Sequence, residues 1–257
     1  MCFSLDAEPP ISSAAGSAVQ GEDIVLNSAD GTRFAAYAAH AGNPQGAGIV
    51  ILPDVRGLFR FYKELALRFA EAGIEAVAID YFGRTAGLTS RDEQFEYMPH
   101  VMQTRFETLT ADVAAAVDYL RGLPDAPQSI FTVGFCFGGS TSFLQAANNH
   151  GLAGVIGFYG SPSGPSRNGS PAPIERVSDF RCPVLGLFGG ADTYIPAESI
   201  QQFDIALTHA GIEHELVSYP GAPHSFFDRV QAQYANESAD AWKRILAFIA
   251  AHTLPRT

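Results

Sequence analysis

The sequence predicts an α/β protein whose central sheet, of about eight mostly parallel strands, is covered by helices on both faces. Two observations carry this prediction. Short apolar runs such as Gly48–Leu52 show no polar alternation, as expected of strands that are buried on both sides. These runs alternate with longer stretches whose apolar residues recur at helical spacing, the order that produces parallel sheets.

The first half of the chain is predicted to contain a hairpin and two buried strands. Asp30-Gly31 is a typical hairpin turn between the first two strands. Pro53 ends the third strand, and Gly73 is placed as a helix stop. The predicted elements are strands at 24–27, 33–39, 48–52 and 76–79, and a helix at 61–72.

The second half continues the alternation. Irregular polar residues fill 81–100, and the Pro, Ser and Gly residues of 161–173 indicate an irregular surface segment. No internal repeat or linker divides the chain, so we expect one domain over 1–257, with 1–20 as a flexible tail. The predicted elements are helices at 110–121, 138–149, 198–210 and 238–251, and strands at 130–133, 154–158, 184–188 and 215–219.

Composition and charge restrict the classes of partner. With 47% hydrophobic and 17% charged residues, the 257-residue chain can build a sizeable core. Its formal net charge of −11 disfavours nucleic acid and anionic membranes as partners. Residues 1–20 lack the pattern of a signal peptide, and no run reaches the roughly 18 apolar residues of a membrane span. We therefore expect a cytoplasmic protein; its oligomeric state stays open, a monomer included.

A glycine-rich turn follows the strand at 130–133 and precedes a helix. Residues 134–139 are Gly-Phe-Cys-Phe-Gly-Gly, the layout of a nucleophile elbow with cysteine as the nucleophile. The turn is so tight that a Cβ two residues before or after Cys136 would clash with backbone. The following helix N-terminus favours the thiolate. The alternatives are a plain turn or a phosphate-binding turn, and the usual phosphate motifs are absent.

An acid and a base follow two later strands, in the chain order that such an elbow requires. Asp192 closes a Gly-Gly-Ala-Asp turn after the strand at 184–188, and His224 lies in a loop after the strand at 215–219. Cys136 would attack a carbonyl carbon, His224 would move protons, and Asp192 would orient the imidazole. Taken alone, Asp192 could cap a helix and His224 could be an ordinary loop histidine. Their order and their positions after strands favour a triad.

The other cysteines and histidines indicate no further chemistry. Cys182 precedes an apolar strand and is expected to be a small buried side chain, and Cys2 lies in the tail. No spacing of histidines and cysteines fits a zinc site. We therefore expect neither a metal nor another cofactor.

On these motifs the sequence resembles the dienelactone hydrolase family, a cysteine-dependent branch of the α/β-hydrolases, over residues 21–252. The resemblance rests on the elbow at 134–139, on Gly-Gly-Ala-Asp at 189–192 and on Gly-Ala-Pro-His-Ser-Phe at 221–226. It implies the α/β-hydrolase fold and, as the reaction, the opening of a lactone or ester.

The resemblance also implies further residues around the cysteine. A carboxylate after an early strand would hold Cys136 as a thiol until substrate displaces it. That position is Asp54, where the family more usually has glutamate; Asp54 could equally be a turn residue after a proline. The backbone N–H groups of Val55 and Phe137 would form the oxyanion hole.

Arginines bind the free carboxylate of the substrate in this family. Arg84 matches one such position, and a guanidinium can bind a carboxylate with two parallel hydrogen bonds. At the position where the family has its second arginine, this sequence has Asp228, and Arg229 follows it. Arg56 is a further candidate. An aspartate at 228 would repel an anionic lactone, and Arg84 could also be a solvated loop residue.

The leading hypothesis is therefore a cysteine hydrolase of the dienelactone hydrolase type, acting on a small-molecule lactone or ester. A broad carboxylesterase or thioesterase with the same triad is an alternative, and Asp228 favours it. The third reading is a hydrolase-fold protein that binds small molecules without catalysis.

Overall fold

The computed structural model describes residues 6–13, 19–227 and 233–255, and its framework is one sheet of eight strands. Each predicted strand is present, and the α/β architecture is confirmed. The strands are β1 (Gln20–Asn27), β2 (Arg33–His40), β3 (Ala47–Leu52), β4 (Glu75–Ile79), β5 (Ser129–Phe135), β6 (Gly154–Phe158), β7 (Val184–Gly189) and β8 (His214–Tyr219).

Helices connect the strands. Two of them are single turns: α2 lies within the segment 81–100, which the sequence indicates only as irregular, and α3 begins there and ends at Val101. The helices are α1 (Arg60–Glu71), α2 (Gly83–Ala86), α3 (Met98–Val101), α4 (Phe106–Arg121), α5 (Phe137–Gln145), α6 (Ala197–His209) and α7 (Ala235–His252), with a 3-10 helix at Pro173–Asp179.

The sheet is antiparallel at one end and parallel elsewhere. Its strand order is β1-β2-β4-β3-β5-β6-β7-β8. β2 pairs antiparallel with β1 and β4, and each remaining pair of neighbours is parallel. The carboxyl ends of β3 to β8 therefore lie along one edge, where sheets of this kind bind ligands.

Both faces of the sheet are buried, as the uninterrupted apolar runs predict. Along β3, Ile49 and Ile51 pack into one apolar cluster, and Val50 and Leu52 pack into the other. All four are completely buried, and each such side chain stabilises the fold by at most about 1.5–3 kcal/mol. The helices α1 and α7 cover one face, and α4 covers the other.

Three predicted helix boundaries are wrong by about one turn, and one of them is the start of α7, which is Ala235 rather than 238. α4 begins at Phe106 rather than at 110, because its first turn buries Leu109 in the core. α5 ends at Gln145 rather than at 149. There the side-chain amide of Asn148 donates to the carbonyl oxygen of Leu144 (3.3 Å), a local bond that competes with helix continuation.

Part of the predicted N-terminal tail contacts the sheet domain. Ala7 is completely buried, and Ile11 packs against the same apolar cluster. Residues 1–5 and 14–18 lie outside the described residues. Among the residues that are described, no helix is both long and apolar enough to cross a bilayer.

Candidate active site

The predicted catalytic residues follow strands at the carboxyl edge of the sheet. They are Asp54 and Val55 after β3, Cys136 after β5, Asp192 after β7 and His224 after β8. Val55, Cys136 and His224 line one cavity. Residues far apart in sequence thus meet because their strands are parallel and adjacent.

Cys136 occupies a sharp turn between β5 and α5. Its φ of 56° is rare for a residue other than glycine, and its N–H donates to the carbonyl oxygen of Phe158 (3.0 Å). A Cβ at Gly134 would lie 1.8 Å from the carbonyl oxygen of Gly138, and one at Gly138 would lie 2.1 Å from that of Leu52. Glycine at both positions lets the turn pack against β3, and Cys136 is partly exposed and lines the cavity.

His224 and Asp192 form a hydrogen-bonded pair. The distance from His224 Nδ1 to Asp192 Oδ2 is 2.6 Å, and Asp192 Oδ1 accepts the N–H of Tyr194 (2.8 Å). The Asp192 side chain is 1% exposed. Two hydrogen bonds therefore fix the carboxylate, which holds the imidazole with the proton on Nδ1 and leaves Nε2 as the proton-accepting nitrogen.

The predicted oxyanion donors, Val55 and Phe137, both line the cavity. Phe137 is the first residue of α5, where an N–H has no partner within the helix. Across the described chain, neither N–H donates to a protein acceptor. Both are therefore available to a negatively charged oxygen in the cavity.

The carboxyl group of Asp54 is completely buried. Its Oδ1 accepts the N–H of Arg56 (2.9 Å), and no described residue hydrogen-bonds to its Oδ2. Burial raises the pKa of Asp54 to about 6, against the opposing effects of the Arg56 N–H and charge and of His224. A carboxyl group that titrates near neutral pH with one oxygen unbonded is typical of functional sites.

The cavity has a volume of about 940 Å³. Much of its wall is the loop 161–173, between β6 and the 3-10 helix, for which the sequence indicates only an irregular segment. Asn168 anchors this loop: its side chain is buried, donates to Thr104 Oγ1 (2.9 Å) and accepts the N–H of Ser170 (3.1 Å). The loop is thus a fixed part of the cavity wall.

Arg84, a predicted substrate-binding residue, is held in two ion pairs. Its Nη1 lies 2.6 Å from Asp112 Oδ2, and its Nη2 lies 2.9 Å from Asp30 Oδ2. It does not belong to the cavity lining. Because two carboxylates already neutralise this guanidinium, the structure does not support Arg84 as a substrate ligand.

Arg56, the other predicted arginine that the structure describes, gives no cavity cation either. The Arg56 guanidinium stacks on the ring of Phe59 at 3.8 Å from its centroid, and Arg56 is absent from the cavity lining. Asp228 and Arg229 lie outside the described residues. The two expected positions that can be inspected, Arg84 and Arg56, therefore do not place a positive charge in the cavity wall.

Sequence reasoning missed Arg167. It is the one lysine or arginine among the described residues that line the cavity, and within that part of the chain no carboxylate pairs with it. Its Nη1 lies 3.7 Å from Met98 Sδ. A single arginine in a Pro-, Ser- and Gly-rich segment belongs to no sequence motif. Only the structure of the loop 161–173 shows that Arg167 lies in the cavity wall.

Three further residues surround the histidine. The rings of Tyr159 and Tyr194 lie at centroid distances of 4.9 Å and 5.5 Å from the His224 ring. Ser225 has a φ of 63°, and its buried hydroxyl has no partner among the described residues. Ser225 belongs to the His-Ser-Phe motif of the family, so the sequence pointed to its position. For Tyr159 and Tyr194, the sequence indicated only that they follow strands.

Other potential chemistry is limited. Cys182 is buried, as predicted, and burial raises the pKa of its thiol to about 12, so it stays protonated and unreactive. Within residues 6–13, 19–227 and 233–255, no group of three His, Cys, Asp or Glu side chains is arranged to hold a metal ion.

Comparison with models of known protein families assigns this chain to a family. The model of the dienelactone hydrolase family matches residues 34–253. The chain belongs to the dienelactone hydrolase family. The resemblance seen in the motifs is thereby confirmed, and the protein is a hydrolase that acts on small-molecule esters or lactones.

The names of individual relatives agree with the family assignment. A protein of Methylorubrum extorquens named "Putative carboxymethylenebutenolidase" is 29% identical over 243 residues, which are 93% of this chain and 83% of that protein. A protein of the same name from Salmonella typhimurium is 30% identical over 230 residues, 86% of this chain and 83% of that protein. The crystal structure of a "Putative Dienelactone Hydrolase" from Klebsiella pneumoniae matches with a TM-score of 0.78 at 28% identity, covering 91% of this chain and 99% of that one.

Proposed function

We propose that this hydrolase opens its ester or lactone through a covalent intermediate on Cys136, with His224 and Asp192 completing the triad. One observation carries the proposal. A histidine hydrogen-bonded to a buried aspartate at 2.6 Å shares a cavity wall with a cysteine on a strained turn. The order of nucleophile, acid and base along the chain also fits this fold.

In the first step, His224 Nε2 takes the proton of the Cys136 thiol, the sulfur attacks the carbonyl carbon, and the carbonyl oxygen becomes an oxyanion. The N–H groups of Val55 and Phe137 stabilise it, and one such donor typically contributes on the order of 10²–10³ in kcat. The bond from carbon to the leaving oxygen breaks, and that oxygen takes a proton from His224. The product of this step is a thioester on Cys136.

In the second step, His224 removes a proton from water, and the water oxygen attacks the thioester carbon. The carbon–sulfur bond breaks, the carboxylic acid leaves, and the sulfur leaves as a thiolate that takes the proton back from His224, which restores the thiol and the neutral imidazole. For an enol-lactone, ring opening leaves an enolate within the acyl group, and that enolate takes up a proton before the product is released.

Asp54 is proposed to keep Cys136 as a thiol until substrate arrives. A negative charge close to the sulfur disfavours the thiolate. β3 and β5 are parallel neighbours in which Leu52 pairs with Gly134, so Asp54 and Cys136 each lie two residues beyond a paired position. This register supports their proximity.

A broad carboxylesterase or thioesterase is the second candidate, and the arginines favour it. Arg84 and Arg56 lie off the cavity lining, and the cation that does line it, Arg167, is exposed on a loop. A large cavity with hydroxyl groups in its wall suits neutral substrates. The reading as a binding protein without catalysis is set aside, because the family is one of hydrolases.

The test is kcat/KM on a dienelactone and on p-nitrophenyl acetate for the wild type, Cys136→Ala and the control Cys182→Ala. We expect Cys136→Ala to lose turnover of both substrates and Cys182→Ala to keep it, because Cys182 lies outside the cavity lining. Near-wild-type activity in Cys136→Ala would sink the proposed nucleophile. Turnover of the aryl ester alone would select the second candidate over the first.

A further inference from the structure

The loop at residues 53–58, called here the oxyanion loop, carries the proposed donor Val55 and packs against residues that follow β4. Asp80 is 1% exposed, and its Oδ1 accepts the N–H of Leu58 (3.1 Å). Tyr81 donates its hydroxyl to the first carbonyl oxygen of the loop (2.8 Å). Both ends of the oxyanion loop are thus hydrogen-bonded to side chains that directly follow β4.

The Asp80 carboxylate also touches the backbone of the loop directly. Gly57 has a φ of 80°, and a Cβ at this position would lie 2.3 Å from Asp80 Oδ1. The carboxylate therefore occupies the space that a side chain would need. Contacts at Gly57 and Leu58 leave the loop little freedom to move relative to Asp80.

Arg91 holds the other oxygen of this carboxylate. Its Nη2 lies 2.9 Å from Asp80 Oδ2 and 3.1 Å from the carbonyl oxygen of Gly87. Its Nη1 donates to Thr89 Oγ1 (2.6 Å), and the guanidinium lies 4.5 Å from the ring centroid of Phe95. Both partners of this ion pair are 1% exposed. The pair therefore joins the oxyanion loop to the segment 87–95 inside the protein.

We infer that Asp80, held by Arg91, is a positioning residue that fixes the N–H of Val55 for oxyanion binding. The inference rests on the proposed function, because it gives Asp80 a task only if Val55 is an oxyanion donor. Asp80 is not among the residues that line the cavity. It acts through the backbone of the oxyanion loop.

A positioning role predicts a specific kinetic effect. Asparagine at residue 80 keeps the size of the side chain but leaves Arg91 without a countercharge, so the oxyanion loop shifts. We expect kcat for p-nitrophenyl acetate to fall at least about 10-fold, and by less than the 10²–10³ typical of losing a donor outright. KM should change little, since the displaced N–H interacts with the transition state more than with the ester.

The decisive probe is an aryl-alkyl trifluoromethyl ketone, which a thiolate converts into a tetrahedral oxyanion. In Asp80→Asn, its inhibition constant should rise by about the same factor as kcat falls. Alkylation of Cys136 by iodoacetamide, which forms no oxyanion, should keep its wild-type rate. A general loss of structure would change the alkylation rate as well.

Asp112→Asn is the matched control. Asp112 is also buried and paired with an arginine, Arg84 at 2.6 Å, but it contacts no residue of the oxyanion loop. This control should lose thermal stability yet bind the ketone like the wild type. Arg91→Lys gives a second variant that retains the positive charge; it should weaken ketone binding in the same direction as Asp80→Asn.

The outcomes separate the inference from the proposed function. If Cys136→Ala binds the ketone as tightly as the wild type, the nucleophile is wrong and the role of Asp80 fails with it. If Cys136→Ala loses binding while Asp80→Asn and Arg91→Lys both retain it, only the role of Asp80 fails. Weaker binding in these two variants, with normal alkylation, supports both.

Discussion

Replacing Asp54 with asparagine should change how the stability of the protein depends on pH. Burial raises the pKa of Asp54 from the ordinary 3.8 to about 6. At pH values above 6, ionisation of this group therefore costs the folded state about 3 kcal/mol relative to the unfolded chain. Such a cost is a large part of the typical stability of a domain.

The sign follows from proton binding. Between pH 3.8 and about 6, the folded protein holds the Asp54 proton more often than the unfolded chain does, so stability falls as the pH rises through this window. Asparagine does not ionise and lacks this fall. The free energy of unfolding of Asp54→Asn, relative to the wild type, should thus increase by up to about 3 kcal/mol from pH 4 to pH 7.5, whatever the constant cost of the buried amide.

Urea unfolding at several pH values between 4 and 8, with the thiols kept reduced, measures this difference. Asp118→Asn is a suitable control, because the Asp118 side chain is 77% exposed. Its difference from the wild type should stay nearly constant over the same range. If the free energies of unfolding of the wild type and Asp54→Asn changed with pH in parallel, the reasoning would be refuted, because the buried Asp54 carboxylate would then carry no ionisation cost in the folded state.

Three further changes test other parts of the account. In Asp54→Asn, iodoacetamide should alkylate Cys136 faster at pH 7, because a negative charge that disfavours the thiolate is gone; an unchanged rate contradicts the thiol-holding role. Asp192→Asn should lower kcat for p-nitrophenyl acetate by about 10²–10⁴, since the imidazole loses its orienting acceptor, and kcat within a few-fold of wild type would argue against the triad. Arg167→Gln should lower kcat/KM for an anionic hemi-ester at low salt but not for a neutral ester of equal length, and equal effects on both would exclude an electrostatic role for this arginine.

The three residues of the proposed triad could be placed from the sequence because their signals are local. The elbow glycines surround Cys136 in sequence, and Asp192 and His224 follow strands that are recognisable from their apolar runs. Parallel strands place the ends of all these segments at one edge, so the order along the chain was enough to bring them together. The same reasoning placed Asp54 and Val55 after β3.

Whether an arginine lines the cavity depends on contacts that no local pattern contains. Arg84 is neutralised by Asp30 and Asp112, which lie 54 and 28 residues away in sequence. Arg167 reaches the cavity because the buried amide of Asn168 anchors its loop to a threonine 64 residues away. Such pairings depend on how loops fold over the sheet, and composition alone indicates only that the loops are irregular.

The same limit applies to the Asp80–Arg91 pair. The sequence places Asp80 after a buried strand, but the ion pair and the contact with Gly57 arise only when two loops close on the same carboxylate. Both partners are buried, and a buried charge of this kind is tolerated only when it is paired.

The central claim is that the acyl group of the substrate becomes bonded to Cys136. Rapid acid quenching during turnover of p-nitrophenyl acetate, followed by mass spectrometry of the digested protein, measures it directly. The account predicts an acetyl group on the peptide that contains Cys136, and none on that peptide in Cys136→Ala. Steady turnover with no acetyl group on Cys136, together with activity that survives in Cys136→Ala, would contradict it.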